Sequence, residues 1–194
     1  MIITFGGRAG AGKSSVGRKL AERLGYQFYS AGDVRRKYAL EHGMTLEGLN
    51  EKAKTDPASD FLVDDYMKAM TIKESESVID AWLGFHFFPQ SMKLFFDADP
   101  RLRAERVYGR RKEEELSFDV DDAFQKMTEK ENCSAARYKR LYGVNIYDQR
   151  NYDYIIDTTH NTVNDSADQV IRYFVDFIWE KNRNHVFFSR ILKK

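Results

Sequence analysis

Five short apolar runs punctuate the chain, and stretches with helical periodicity lie between them. Each run has the length of a strand and few polar interruptions, which is typical of strands buried on both faces of a parallel sheet. The predicted strands are residues 2–5, 27–29, 77–79, 93–96 and 154–156. Alternating strands and helices predict an α/β fold of three α/β/α layers, with helices covering both faces of a five-stranded parallel sheet.

Local signals mark the ends of several helices. Apolar residues follow the first strand at a spacing of four, and Gly25 is a plausible C-terminal stop. An aspartate followed by a proline is typical of a helix start, with the aspartate as N-cap and the proline at the first helical position. This pair occurs at Asp56-Pro57 and at Asp99-Pro100. The last helix is predicted to begin near Asn164 or Asp165 and to turn inward Val170, Phe174, Phe177 and Ile178.

The segment between the first strand and the first helix matches the pattern G-x-x-x-x-G-K-[ST] at every fixed position. Its glycines let backbone N–H groups surround a phosphate without a Cβ in the way, and the helix N-terminus adds partial positive charge. Lys13 is expected to reach the terminal phosphates, and the Ser14 hydroxyl to ligate Mg²⁺. The chain is therefore predicted to have a P-loop fold and to bind a nucleoside triphosphate. The residues predicted to bind it are Gly7, Arg8, Ala9, Gly10, Ala11, Gly12, Lys13, Ser14 and Ser15.

Two stretches exceed a minimal alternation of strand and helix. Residues 35–70 separate the second strand from the third, and the highly charged residues 109–142 precede the fifth strand. Insertions at these places overhang the carboxyl ends of the strands, where open α/β sheets bind ligands. We expect a single domain over residues 1–194, with an acceptor-binding flap at 35–70 and a lid at 109–142. Its core is expected to comprise residues 1–34, 71–108 and 143–182.

Phosphoryl transfer requires cations around the migrating group and an acidic residue near the metal. Asp80 ends the third strand, where it either supports the Mg²⁺ water shell or serves as a turn residue. Asp33 is a helix cap, a neighbour of the metal, or both. Arginine binds phosphate with a planar fork of donors, and Arg36 is expected to point toward an acceptor phosphate. The arginines expected around the lid are Arg106, Arg110 and Arg137.

Composition narrows the function classes further. The chain has 31 basic and 30 acidic residues, so its net charge indicates neither nucleic acid nor an anionic membrane as partner. Cys133 is the only cysteine, which excludes an internal disulfide, and without a leader the expected location is the cytoplasm. The apolar and basic tail at 186–194 is expected to pack on the domain or on a second subunit rather than to anchor in a membrane. The expected state is a monomer or a weak homodimer.

The order and spacing of several segments resemble the archaeal type of cytidylate kinase. They are residues 30–36 (SAGDVRR), 42–47 (HGMTLE), 56–64 with its aspartates, 103–107 (RAERV), 136–138 (ARY), 142–148 (YGVNIYD) and 152–158 (YDYIIDT). Residues 105–111 also look like the lid entry of adenylate kinases. The resemblance implies a nucleoside-monophosphate kinase fold and phosphorylation of CMP or dCMP with ATP and Mg²⁺. It further implies that Arg36 contacts the acceptor phosphate, that the lid arginines contact the transferring group, and that Asp60 and Asp64 lie at the acceptor site.

The resemblance breaks down at the acceptor side. Such kinases usually carry glycine and arginine directly after the acid of the third strand, whereas this chain has Ala81 and Trp82 after Asp80. An indole offers a stacking surface in place of a cation. After Asp64 the family commonly has arginine and glutamine, but here Asp65 and Tyr66 follow.

Two other readings are compatible with the sequence. A small-molecule kinase of the shikimate, gluconate or dephospho-coenzyme A type would share the phosphate loop and the lid arginines. A non-catalytic nucleotide sensor would bind ATP tightly and transfer no phosphoryl group. A comparison of turnover with CMP and with those other acceptors distinguishes the first alternative from a cytidylate kinase. ATP binding without transfer to any acceptor identifies the second.

Overall fold

A computed structural model describes residues 1–56, 58, 60–62, 64, 65, 69, 76–113 and 119–191. Side chains are described for all of these except residues 47, 54, 55, 110–113 and 182–191. Within this part of the chain, no helix is both long and apolar enough to cross a membrane.

The sheet contains the five strands that the apolar runs predict. They are β1 (Ile2–Gly7), β2 (Gln27–Ser30), β3 (Ser77–Asp80), β4 (Met92–Asp97) and β5 (Tyr154–Asp157). The strand order is β2-β3-β1-β4-β5, and every neighbouring pair is parallel. The expected five-stranded parallel sheet is confirmed, and its carboxyl edge brings together the residues that follow β1, β3 and β5.

The described helices connect these strands. They are α1 (Lys13–Leu24), α2 (Ala31–Glu41), α3 (Leu46–Thr55), α4 (Gly84–Phe87), α5 (Pro100–Glu113), α6 (Val120–Tyr142) and α7 (Val163–Ile191), with a 3₁₀ turn at Gln149–Asn151. Gly25 ends α1 in the left-handed conformation, with φ 70°. At the start of α5 the Asp99 carboxylate accepts from the backbone N–H of Arg101 and of Leu102, as the aspartate–proline signal predicts. The last helix begins at Val163, one residue before the predicted start.

The core is divided between the two faces of the sheet because successive strand residues point to opposite sides. On one face Phe5 and Leu94 pack with Leu20 of α1 and Phe174 of α7. On the other face Ile79 packs against residues of β2 and α2. Val170 is fully buried, and the residues Phe177 and Ile178 pack on the same core, so the predicted inward face of α7 is confirmed.

The stretches predicted as flap and lid both contain α-helices. Helices α2 and α3 occupy the first half of residues 35–70, and α2 begins at Ala31, inside the predicted core segment. In the second stretch α6 packs along α5 through a small apolar cluster. Its buried residues are Ala104, Val107, Ala123 and Met127. The assignment of these stretches as flap and lid stays a prediction. Pro57 and residues 192–194 of the predicted tail lie outside the described residues, as do the side chains of residues 186–191.

Candidate active site

The phosphate loop joins β1 to α1 at the carboxyl edge of the sheet. Gly7 has a φ of 120°, and a Cβ there would lie 2.1 Å from the carbonyl oxygen of Phe96. Gly10 has a φ of 77°, and a Cβ there would lie 2.5 Å from the carbonyl oxygen of Arg103. A side chain at either position would therefore collide with backbone, and the left-handed φ is itself costly for any residue but glycine. These glycines allow the loop to close tightly against β4 and α5.

Polar side chains of the loop already make short contacts. Lys13 Nζ donates to the carbonyl oxygens of Arg8 at 2.6 Å and Gly7 at 3.2 Å. Ser14 Oγ donates to Asp80 Oδ2 at 2.5 Å. The Asp80 carboxyl is buried, and this burial raises its pKa even though Lys13 and the Ser14 hydroxyl act in the opposite direction. A hydroxyl beside a buried carboxylate provides suitable oxygen ligands for a hydrated Mg²⁺ ion.

Trp82 forms part of the wall beside the loop. Its indole Nε1 donates to the carbonyl oxygen of Gly7 at 2.8 Å. The ring makes edge contacts with Tyr138 and Tyr147, at centroid distances of 6.2 and 6.3 Å. The indole is therefore held in place by the loop and by two aromatic neighbours, and it also lines the main cavity, so its role as a stacking surface stays a prediction.

A buried carboxylate ties helix α6 to the phosphate loop. Glu131, only 5% exposed, accepts from the backbone N–H of Ala9 at 2.7 Å and from Arg103 Nη1 at 2.9 Å. Its second oxygen accepts from Arg8 Nη1 at 3.1 Å. The Arg8 guanidinium also lies 4.1 Å from the centre of the Tyr147 ring. These contacts hold the first turn of the loop from the side of α6.

Arg106 lies on the opposite side of the loop from β3. Its two Nη atoms donate to the hydroxyl and the carbonyl oxygen of Thr158, at 2.9 and 2.8 Å. The Thr158 hydroxyl in turn donates to the carbonyl oxygen of Ala11 at 3.1 Å. This chain of hydrogen bonds links α5, the end of β5 and the phosphate loop.

A second group of ionic side chains lies where α2 approaches α6. Arg35 Nη1 donates to Asp60 Oδ1 at 2.7 Å, and Arg137 Nε lies 3.2 Å from Asp60 Oδ2. Asp60 is 1% exposed, Arg35 9% and Arg137 8%, so one buried carboxylate is shared by two buried guanidinium groups. Asp64 accepts a hydrogen bond from the Tyr142 hydroxyl nearby.

These groups surround one cavity of about 530 Å³. It extends from the phosphate loop to the first turns of α2 and α3, and its volume falls in the range of small-molecule sites. Of the residues predicted from sequence, the following line it: Ala9, Gly10, Gly12, Lys13, Ser14, Ser15, Arg36, Asp80, Trp82, Arg106 and Arg137.

The remaining predicted residues lie around this cavity or outside the described side chains. Asp33 does not line it, and the prediction that it caps the helix is wrong, because Ser30 is the N-cap of α2 and accepts from the Asp33 N–H. The Asp33 carboxylate pairs instead with Arg36 and, at 2.7 Å, with Arg18. Asp60 and Asp64 line a separate cavity of about 30 Å³ that adjoins Arg35 and Trp82. The side chain of Arg110 lies outside the described part of the structure.

Comparison with known proteins assigns the family. The model of the cytidylate kinase-like family matches residues 2–160. The chain is 34% identical to the cytidylate kinase of Methanocella arvoryzae over 82% of its own length and 88% of that protein. It is 35% identical to the cytidylate kinase of Pyrococcus abyssi, over 93% of this chain and 97% of that protein.

The chain belongs to the cytidylate kinase-like family.

Solved structures confirm the P-loop kinase fold. The shikimate kinase of Acinetobacter baumannii, solved in complex with shikimate, superposes with a TM-score of 0.60 at 18% identity. The superposition covers 90% of this chain and 93% of that one. At this level of identity the likeness concerns the fold alone.

Several residues that shape the site of this family member escaped the sequence analysis. Arg35 and Glu131 are buried but stand within charged helical stretches, where pattern alone favours a solvated face. Thr158 follows β5 and was not singled out as a partner of Arg106. Helix geometry shows only that Arg35 and Arg36 point about 100° apart, and it does not show which of the two is buried.

Proposed function

We propose that this protein phosphorylates CMP or dCMP with ATP, giving CDP or dCDP and ADP. One observation carries the proposal: a single cavity of about 530 Å³ joins a complete phosphate loop to a cluster of arginines on α2, α5 and α6. A donor triphosphate at the loop and an acceptor monophosphate at the α2 end would meet inside it. Family membership supports a pyrimidine monophosphate as the acceptor.

At the donor end the loop is suited to the β- and γ-phosphates of ATP. Lys13 Nζ rests on two carbonyl oxygens of the loop, and we propose that it exchanges them for phosphate oxygens when ATP binds. The N-terminus of α1 adds its backbone N–H groups and partial positive charge. The loop is already closed by the contacts of Gly7 and Gly10, so little reorganisation accompanies binding.

Mg²⁺ fits the donor end of the site. Ser14 and Asp80 would hold it, the serine through its hydroxyl and the aspartate through the ion's water shell. The bound ion would neutralise charge on the phosphates as transfer proceeds. The burial of Asp80 beside the Ser14 hydroxyl supports this assignment, because a buried carboxylate gains from a nearby cation.

Arg106 and Arg137 line the cavity between its two ends. We propose that they contact the migrating phosphoryl group, whose charge is spread over its outer oxygens in the transition state. Their present partners, Thr158 and Asp60, keep both guanidinium groups oriented toward the cavity wall. The side chain of Arg110 is assigned the same role by sequence alone.

The Arg106→Gln variant tests this role. We expect kcat to fall by about 10- to 100-fold with little change in the KM for ATP, because a contact made mainly in the transition state affects kcat. Steady-state kinetics with ATP varied at saturating CMP give both parameters. The matched control is Arg101→Gln on the same helix, since Arg101 is exposed and pairs with Asp121 at the surface. A change confined to KM would restrict Arg106 to ground-state binding.

A screen of acceptors tests the proposed function. ATP consumption is followed with each ribo- and deoxyribonucleoside monophosphate, and with shikimate, gluconate and dephospho-coenzyme A. We expect the highest kcat/KM with CMP or dCMP. A preference for one of the three other acceptors would support the small-molecule kinase alternative. Tight ATP binding with no transfer to any of them would support the nucleotide sensor.

A further inference from the structure

Arg35 is anchored on one side of its guanidinium and unpartnered on the other. Nη1 donates to Asp60 at 2.7 Å, while Nε and Nη2 are buried and have no hydrogen-bond partner among the described residues. Buried N–H groups of a charged side chain are rarely left unpaired, because they lose their water without replacing it. An unpaired pair of donors therefore indicates a ligand that completes the set.

The two free atoms have the geometry of a phosphate-binding fork. Nε and Nη2 share one edge of the planar guanidinium and donate two parallel hydrogen bonds, which match two oxygens of a phosphate. Asp60 holds the opposite side, and Arg137 Nε lies 3.2 Å from the second oxygen of Asp60 as an ion pair without hydrogen-bond geometry. The orientation of the edge is thus fixed before a ligand arrives, which lowers the entropic cost of binding.

The position of Arg35 matches the acceptor rather than the donor. Arg35 lines the main cavity at its α2 end together with Arg36, and it also lines the small cavity next to Trp82. Trp82 brings no cation to this wall, and its indole N–H is already engaged by Gly7. Arg36 pairs with Asp33 and is largely exposed. Among the described residues, Arg35 is therefore a buried cation at this end of the cavity with two adjacent donors to offer, whereas the unpartnered nitrogen of Arg137 faces Asp60.

We propose that the Nε–Nη2 edge of Arg35 binds the phosphate of the acceptor nucleotide. The proposal builds on the function proposed above and adds a specific acceptor contact to it. Both nitrogen atoms are out of contact with solvent, so the wall beside Arg35 opens when the acceptor enters.

The test compares CMP with cytidine, which lacks only the phosphate. Affinities of both ligands are measured by calorimetry for the parent protein and for Arg35→Lys, which keeps a cation for Asp60 but loses the fork. We expect CMP binding to weaken by about 10- to 100-fold, as for the loss of one charge-assisted pair. Cytidine binding should change by less than about twofold, since neither Lys nor Arg at this position would contact the nucleoside.

Controls separate this contact from a purely structural role. Arg23→Lys makes the same replacement at a surface ion pair with Asp168 and should leave both affinities unchanged. If Arg35→Lys does not fold, Arg35→Gln takes its place in the same comparison. Equal weakening of CMP and cytidine would overturn the proposal, because Arg35 would then support the pocket or contact the base. Unchanged CMP affinity would overturn it as well, because Arg35 Nε and Nη2 would then bind water rather than the phosphate.

The outcome for Arg35 is separable from that for the proposed function. If the parent protein transfers no phosphoryl group to CMP, the proposed acceptor is wrong. The same comparison is then made with the monophosphate that the acceptor screen prefers and with its nucleoside. A selective loss for that monophosphate would uphold the role of Arg35, and its absence would refute it.

Discussion

Replacing Lys13 with alanine is expected to reduce kcat for phosphoryl transfer by about a thousandfold, at the upper end of the cost of removing one preorganised charge donor. Lys13 is the lysine of the phosphate loop and is placed to contact the β- and γ-phosphates of ATP. Its ammonium now contacts the Gly7 and Arg8 carbonyl oxygens, so the side chain lies within the loop that would hold them. Coupled measurement of ADP formation at saturating ATP and CMP gives the change in kcat.

The control for this variant is Lys19→Ala, on the same helix. Lys19 forms a surface pair with Glu22, three residues on, and has no contact with the loop. Its removal should change kcat by less than about twofold, because exposed ion pairs contribute little. Both variants should show the circular dichroism spectrum of the parent. Full turnover in Lys13→Ala would contradict the assignment of the phosphate loop as the donor site.

Glu131→Ala is expected to lower the free energy of unfolding by about 3–5 kcal/mol, the usual cost of leaving a buried charge without its partner. Glu131 and Arg103 are 5% and 7% exposed, so the buried Arg103 guanidinium would lose the carboxylate at 2.9 Å and keep only the longer ion pair with Asp97, at 3.6 Å. The loop would also lose the acceptor for the Ala9 N–H. Urea denaturation in the absence of nucleotide measures the change.

The comparison variant is Glu22→Ala, which removes a carboxylate from the surface pair with Lys19. Its free energy of unfolding should shift by less than about 0.5 kcal/mol. Equal stability of Glu131→Ala and the parent would show that the buried network around the loop relaxes without cost. A large loss for Glu131→Ala alone would support the view that α6 secures the loop.

Short-range patterns explain why the sheet and the phosphate loop were predictable. Each of the five strands has a short apolar centre that can be recognised without knowledge of its neighbours, although the edge strands β2 and β5 are only partly buried. The phosphate-loop motif is equally local, because its fixed residues all lie between Gly7 and Ser14. The strands and the motif can therefore be recognised from neighbouring residues, although the backbone that requires Gly7 and Gly10, at Phe96 and Arg103, is distant in the sequence.

The acceptor side could not be predicted to the same extent, because its contacts join distant parts of the chain. The role of Asp60 depends on its ion pairs with Arg35 and Arg137, which are 25 and 77 positions away in the sequence. Glu131 lies in a helix whose charges suggest exposure, yet it packs under the loop. Trp82 is predicted to offer a stacking face, and its N–H hydrogen bond to the distant Gly7 could not be predicted from the sequence. Whether a charged residue such as Glu131 is buried depends on packing between distant segments, which a local sequence pattern does not show.

Transfer of labelled phosphate tests the central claim most directly. The protein is incubated with ATP labelled at the γ-phosphate, Mg²⁺ and CMP, and the products are separated. We expect the label in CDP, with one ADP formed for each CDP and no accumulation of inorganic phosphate. Label found only in inorganic phosphate, or retained in ATP while ATP stays bound, would contradict the assignment of this protein as a kinase of CMP.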